Sequence, residues 1–294
     1  MTVFDDHRNL LFSVAYRMLG SAADAEDVVQ DTWLKWSAVD QAAVAEPRAY
    51  LVKIATNLSV DRLRSATARR ETYVGPWLPE PILTSPDVAD DAELAESVSM
   101  AMLVVLETLT PLERAVFVLK EVFGYSFVEI AGVLGRSEAS VRQLGHRSRE
   151  HVQARRPRLR TDPAERREAT RKFYAAAIGG DLNELMEILA PDVTLWTDGG
   201  GKVRQAFRPL SGAKKVAAWL AGVTKRPYEG VPIADMVPEF AEVNGGPALL
   251  ISVGDRVLGV FVVDLGDDGR VNAVHAIANP DKLREIAEGR AREV

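Results

Sequence analysis

The chain has 294 residues, longer than one ordinary domain, and its 47% apolar and 27% charged content suits a soluble protein with sizeable cores. It contains no cysteine, which excludes disulfides and thiolate metal sites, and its net charge of −6 means that any nucleic-acid binding must rest on a local basic patch. The start, MTVFDDHRNLLF, lacks the basic-then-apolar pattern of a secretion signal, and no run is long enough to cross a bilayer, so a cytoplasmic protein with no membrane partner is expected.

Residues 5–70 read as wholly helical. A first helix carries Leu10, Leu11, Val14, Ala15 and Met18 and stops at Gly20. Ser21 caps a second helix, with Asp24 in its first turn. Its apolar stripe is Ala25, Val28, Val29, Trp33 and Trp36; its other face is Asp24, Asp27, Gln30 and Asp31. Pro47 suits the first position of a third, long helix. Tyr50, Leu51, Ile54, Leu58 and Leu63 turn inward there, and Lys53, Asn57, Arg64, Arg69 and Arg70 turn outward. Asp61 repels phosphate, so its expected role is to pair with Arg64 or Arg62. Tyr50 and Trp36 read as core residues in preference to stacking platforms.

Residues 71–92 break the helical order with four prolines and a glycine, and carry five acids and no base. This is a linker, extended around Trp77-Leu78-Pro79-Glu80-Pro81. Trp77 is costly to leave in water and is expected to dock. Helices resume over 93–109, and Thr110-Pro111-Leu112-Glu113 is a strong helix start.

Residues 124–152 read as a helix-turn-helix. Ser126 and Glu129 form a capping box ahead of Phe127, Ile130, Ala131 and Leu134; Gly135 ends that helix and Ser137 caps the next. In the second helix Val141, Leu144 and Ser148 face inward, while Arg142, Gln143, His146, Arg147 and Arg149 face mostly outward. Arg and Gln form paired hydrogen bonds to base edges in the major groove. Residues 136–160 hold eight Arg against two Glu, the electrostatic footprint of a DNA binder. A second boundary follows at RRPRLRTDP, residues 155–163.

The last third changes character. A helical stretch over 165–189 precedes a strand at 193–197, the glycine turn DGGGK, a short helix at 213–222, and strands near 233–243, 247–253, 256–264 and 270–277. The connectors NGG, Gly254-Asp255 and GDDG are hairpin turns. Helices followed by an antiparallel sheet imply an α+β domain.

The runs YRMLGSAADAEDVVQDTWLKW and RAYLVKIATNLSVDRLRS resemble region 2 of the extracytoplasmic-function sigma factors, and residues 110–152 resemble their region 4. WLPEP, DGGGK and NPDKL (279–283) narrow the resemblance to the subgroup with a fused SnoaL-like C-terminal domain. The resemblance implies a multidomain chain: two all-α sigma domains, the second with a helix-turn-helix, and a C-terminal α+β cone or barrel. The expected divisions are 1–72, a linker at 73–92, 93–158 and 159–294.

The resemblance further implies RNA polymerase core and promoter DNA as partners. Asp24, Asp27, Gln30 and Asp31 would face polymerase; Lys53, Asn57 and Arg64 would face the −10 element; Arg142, Gln143, His146, Arg147 and Arg149 would face the −35 element. Trp77, Leu78, Pro79, Asp198 and Asn279 are expected interdomain contacts, with the C-terminal domain acting in cis and no separate anti-sigma factor required.

SnoaL-like folds enclose an apolar pocket, which Tyr174, Trp196, Trp219, Phe261 and His275 are candidates to line or simply to fill as core. Asp198 and His275 are the nearest candidates for acid–base chemistry. Against that, Asp before glycine commonly opens a turn, and a strand-end His is more often a packing residue. With four scattered His and no HExxH, no metal, cofactor or catalytic residue is expected. Two other readings stay open: a C-terminal cyclase or isomerase, and a repressor or activator that binds DNA without polymerase.

Overall fold

The computed structural model describes residues 2–70, 72–84, 99–155 and 163–293. The expected boundaries at 92/93 and 158/159, the helical segment 93–98, most of RRPRLRTDP and the side chains of Arg69 and Arg70 lie outside the described residues. The chain forms two compact units, Met1–Thr72 with Leu103–Arg156, and Tyr73–Met102 with Pro157–Val294.

In the first unit, α1 (Val3–Leu19) opens on a capping box between Thr2 and Asp5 and ends at Gly20, whose φ of 65° is left-handed. Ser21 accepts from the Asp24 N–H at 3.1 Å and starts α2 (Ala22–Ser37). Ala25, Val28, Val29 and Trp36 are buried as expected, but Trp33 is 49% exposed. At about 100° per residue, Trp33 falls at the margin of the stripe that the other four define. Pro47 opens α3 (Pro47–Arg70). Leu51 and Leu63 are buried there, whereas Tyr50, Ile54 and Leu58 are only partly so. Trp36 is core, with the Tyr50 ring 6.0 Å away.

The second helical module contains α4 (Met100–Leu106) and α5 (Pro111–Phe117), the latter with the Thr110–Glu113 capping box. A wide π-type turn over Val118–Val122 follows, which no sequence signal announces. Then comes the helix-turn-helix: α6 (Phe127–Leu134), closed by Gly135, and α7 (Glu138–Gln153), capped by Ser137. Ile130, Ala131 and Val133 are the buried residues of α6, with Phe127 and Leu134 at its margin. The two helices approach closely at Gly145, where an added Cβ would lie 2.9 Å from the Phe127 ring.

These two modules pack on each other within the unit. The Arg114 guanidinium is buried and donates to the Met18 carbonyl at 2.6 Å and to Glu107 at 2.7 Å. Burial pushes its pKa down to about 9, which leaves it charged at neutral pH. Asn57 in α3 donates to the Val133 carbonyl of α6 at 3.0 Å.

In the second unit, α8 (Pro163–Gly179) and α9 (Leu182–Ile188) replace the single expected helix. Gly180, with φ at 68°, and Asp181, capping Asn183 and Glu184, make the break. The described strands are β1 (Leu189–Asp198), β2 (Leu210–Ser211), β3 (Val237–Val243), β4 (Gly246–Val253), β5 (Arg256–Leu265) and β6 (Val271–Ile277). They form one open sheet in the order β2-β1-β6-β5-β4-β3. The three expected hairpin turns join β3 through β6, but β1 pairs parallel with β6, so the sheet is mixed and not purely antiparallel. The short β2 and the C-terminal α11 (Arg284–Glu293) had no expectation.

Strand side chains alternate between faces, and this sheet uses both. Val193, Leu195, Leu249, Val263, Val274 and Ala276 form a core with α8, α9 and α10 (Ala213–Val223). Trp196, Asp198, Asp264 and His275 stand at the alternate positions, on the opposite face.

Candidate functional site

The linker docks on the second face of this sheet. Ile82 and Asn244 exchange backbone and side-chain hydrogen bonds, Thr84 N–H donates to the Glu242 carbonyl at 2.9 Å, and Leu83 bridges Val243. Residues 82–84 thus extend the sheet at the free edge of β3, satisfying backbone groups that an edge leaves open. Upstream, Leu78, Pro79 and Pro81 are buried.

The centre of the docking is Asp198, which is fully buried. Its Oδ1 accepts from the Tyr73 hydroxyl at 2.5 Å and the Gly200 N–H at 3.1 Å. Its Oδ2 accepts from the Leu78 N–H at 2.8 Å and the Lys282 ammonium at 2.7 Å. A carboxylate offers about four acceptor sites, and all four are taken. Lys282, itself buried, also donates to the Leu78 carbonyl and lies 4.0 Å from the centroid of the Trp77 ring. Burial first, and then the bond to Asp198, hold the Tyr73 hydroxyl well above its ordinary pKa, so it stays a donor.

Asn279 completes the arrangement. Its amide donates to the Tyr73 oxygen at 2.8 Å while its carbonyl oxygen caps the turn at Pro280–Lys282. Gly200 has φ 59°, and a Cβ there would lie 2.4 Å from the Asn279 amide nitrogen; at Gly201, with φ 70°, it would lie 3.0 Å from Val74. DGGGK is therefore glycine-rich because linker and NPDKL turn close over it. The five expected interdomain residues, Trp77, Leu78, Pro79, Asp198 and Asn279, meet here. Tyr73 and Lys282 were missed; Lys282 lies inside NPDKL, a run that named the region but not the residue.

The acid–base candidates do not face a pocket. Asp198 is saturated by the linker. His275 Nε2 sits 2.9 Å from Asp264, and its ring stacks on Trp196 at 5.2 Å. The cavity lies on the other face of the sheet, with a volume of about 700 Å³, lined by Tyr174, Trp219 and Phe261 among others. Trp196 and His275, expected to line it, belong to the wrong side of the period-two alternation. Among the described residues, no group of three or more His, Asp or Glu is placed to hold a metal.

On the first unit, Asp24, Asp27 and Asp31 converge on Arg62 of α3, at 3.5, 3.0 and 2.9 Å. Burial opposes the Arg62 charge, but the bonds from Asp27 and Asp31 outweigh it and raise its pKa. Arg62 was not expected there: it belongs to a different helix, beyond the reach of helical spacing. Asp61 pairs with Arg64 at 3.1 Å, one of the two expected options. Gln30, Trp33 and Leu34 are exposed beside the acidic cluster.

On α7, Arg142, Gln143, His146, Arg147 and Arg149 are all exposed. Arg142 pairs with Glu138 and lies 5.0 Å over the Phe127 ring. Arg147 and Arg149 are tied back to Glu113 and Glu121, at 3.3 and 2.6 Å. Lys53 and Arg64 are exposed on α3, but the Asn57 amide is already committed to the Lys53 and Val133 carbonyls.

Comparison with known proteins matches residues 3–69 to the Sigma-70 region 2 family and residues 99–152 to the Sigma-70, region 4 family. The chain is 40% identical to the ECF RNA polymerase sigma factor SigJ of Mycobacterium tuberculosis (strain ATCC 25618 / H37Rv), over 95% of this chain and 92% of that one. It is 31% identical to the SigI protein of Mycobacterium tuberculosis (strain CDC 1551 / Oshkosh), over 94% of this chain and 92% of that one. The crystal structure of the extracytoplasmic function sigma factor SigJ of Mycobacterium tuberculosis superposes with a TM-score of 0.76 at 38% identity, covering 96% of this chain and 97% of that one.

Removing one partner of a buried ion pair strands the other charge, a loss of about 3–5 kcal/mol. Lys282→Met is therefore expected to destabilise the C-terminal unit by that order, and pairing it with Asp198→Asn, which removes the stranded charge while keeping an acceptor for the Tyr73 and Gly200 donors, should restore part of the loss. Denaturant unfolding of the two variants in the full chain checks this; equal losses in the single and double variants would show that the ion pair is not the source.

Proposed function

Because the chain belongs to the extracytoplasmic-function RNA polymerase sigma factors, we propose that it binds RNA polymerase core, directs initiation at promoters with −35 and −10 elements, and is regulated in cis by its C-terminal domain. The observation that carries the in-cis reading is the saturation of Asp198. A carboxylate whose acceptor sites are filled by a linker tyrosine, a linker backbone N–H, a turn N–H and a lysine has no site left to act as a base. The domain holds the linker; it does not turn over a substrate through that residue. No separate anti-sigma factor is needed in this scheme.

The linker test is direct. Leu78→Asp forces a second carboxylate beside Asp198 and releases the linker. In run-off transcription with core polymerase, the full-length variant should differ in yield from the wild type. Identical yields from a variant whose linker is released, as judged by protease cutting near Trp77, would sink the in-cis reading.

Asp24, Asp27 and Asp31, with Gln30 beside them, form the polymerase face. Exposed ion pairs contribute only about 0–1 kcal/mol each to folding, so Asp27→Lys with Asp31→Lys should leave the fold intact while abolishing co-purification with core enzyme. Unchanged core affinity would refute the assignment.

On α7, Arg142, Gln143 and His146 lie nearest the helix start, where a recognition helix meets base edges; Arg147 and Arg149, held by Glu113 and Glu121, meet the DNA backbone. Arg142→Ala should cost about 1–3 kcal/mol on the preferred −35 sequence and little elsewhere. Arg147→Ala should weaken all sequences alike. Binding to a −35 library distinguishes these, and no loss with Arg142→Ala would mean that this face does not enter the groove. On α3, Lys53, Asn57 and Arg64 form the −10 face. Because Asn57 donates to Val133, reading that element requires the two helical modules to part, and a crosslink between α3 and α6 should block promoter opening.

A further inference from the structure

The cavity between the sheet and helices α8 and α10 lies on the face opposite the linker and is built like a binding site. Its volume of about 700 Å³ falls within the range of small-molecule pockets, roughly 300–1,000 Å³. Its walls are apolar, with Phe173, Tyr174, Trp219, Ile251 and Phe261 among them. Among the described residues no Asp, Glu or His lines it, while three cations do: Arg204, Lys225 and Arg226, all exposed and hence at the opening. Inside, Gln205 donates to the Tyr228 hydroxyl at 3.0 Å, and its own Oε1 is buried with no partner among the described residues. Burial raises the Tyr228 pKa, against the bond from Gln205, which keeps its O–H available as a donor.

We propose that this pocket binds an apolar carboxylic acid, with its hydrocarbon body in the aromatic chamber and its carboxylate at the cationic mouth. The charge pattern selects the class. Arg204 donates to the Pro227 carbonyl at 3.2 Å; a neutral hydrocarbon would leave the exposed Lys225 and Arg226 at the mouth unused, and a cationic ligand would meet like charge. The Glu229 carboxylate accepts from the Arg204 backbone N–H at 2.9 Å and is not among the lining residues. The Tyr228 hydroxyl, held protonated, can donate a hydrogen bond to a ligand's polar end inside the chamber.

The pocket also touches the linker lock. Ala278 lines the chamber, and its N–H donates to the Asp198 carbonyl at 2.8 Å. A ligand that shifts Ala278 shifts the backbone from which Asp198 holds Tyr73 and Leu78. This coupling rests on the in-cis reading; the binding itself does not.

The test uses the full-length protein without polymerase, titrated calorimetrically with dodecanoate, dodecanol and dodecylammonium below their aggregation concentrations. Dodecanoate should saturate one site and bind at least about tenfold more tightly than the other two, a difference of the size that a desolvated charge contact supplies. Lys225→Glu with Arg226→Glu, both at exposed positions, should erase that preference without weakening dodecanol. Ala177→Phe should fill the chamber and abolish binding of all three. No saturable binding, or equal affinity for the three head groups, overturns the proposal. In a second arm, dodecanoate should change run-off transcription by the wild type but not by Ala177→Phe. Binding without that change overturns the coupling alone. Failure to bind leaves the in-cis reading untouched, because the Leu78→Asp experiment judges it separately.

Discussion

The ion pair of Asp198 and Lys282 is the constraint on which the C-terminal unit is organised. Two charges taken out of water cost several kcal/mol each unless every lone pair and proton finds a partner. Here the partners come from three separate stretches: Tyr73 and Leu78 of the linker, Gly200 of the glycine turn, and the Lys282 turn ordered by Asn279. None of these can shift without stranding a buried charge. A pair of this kind contributes little net stability over a well-packed apolar alternative, but it fixes which atoms meet. It thereby fixes the linker in one register against the glycine turn.

The first unit solves a different electrostatic problem. A chain of net negative charge carries a basic outer face on α7 and an acidic face on α2. It does so by local pairing. Arg62 gathers three aspartates of α2, and Glu113 and Glu121 of the neighbouring module hold Arg147 and Arg149 of α7. Each pair has one exposed side chain and one more sheltered, so it restrains side-chain direction without sealing it, and a partner with better-placed charge can displace it.

Much of this was legible in the sequence because local rules carried it. The caps at Ser21, Thr110, Ser126 and Ser137 and the stops at Gly20 and Gly135 depend on residues within one turn, and all stand where their spacing puts them. The misses share a cause: they depend on residues distant in sequence. The break at Gly180 is overt only once the helix on each side has a core to pack against. The parallel pairing of β1 with β6 spans most of the domain. Trp196 and His275 were assigned to the pocket by residue type, whereas their side of the sheet is set by a register that begins at Val193. Lys282 carries no local signal, because its burial depends on the linker that covers it. Family resemblance reached the WLPEP, DGGGK and NPDKL runs but said nothing of how they touch; the geometry supplies a carboxylate as their common acceptor.

The period-two alternation of the strands has one more consequence. Along β1, Leu195 packs beneath the helices while Trp196 and Asp198 stand on the linker side, and β6 repeats the division with Val274 and Ala276 against His275. With Asp198 on the far side, that face carries a polar anchor for the linker that apolar packing alone would lack. The two faces share β1, β5 and β6, so neither can be rebuilt without moving the backbone of the other. The pocket and the linker contact therefore lie back to back across one layer of strands, joined where the Ala278 N–H donates to the Asp198 backbone carbonyl.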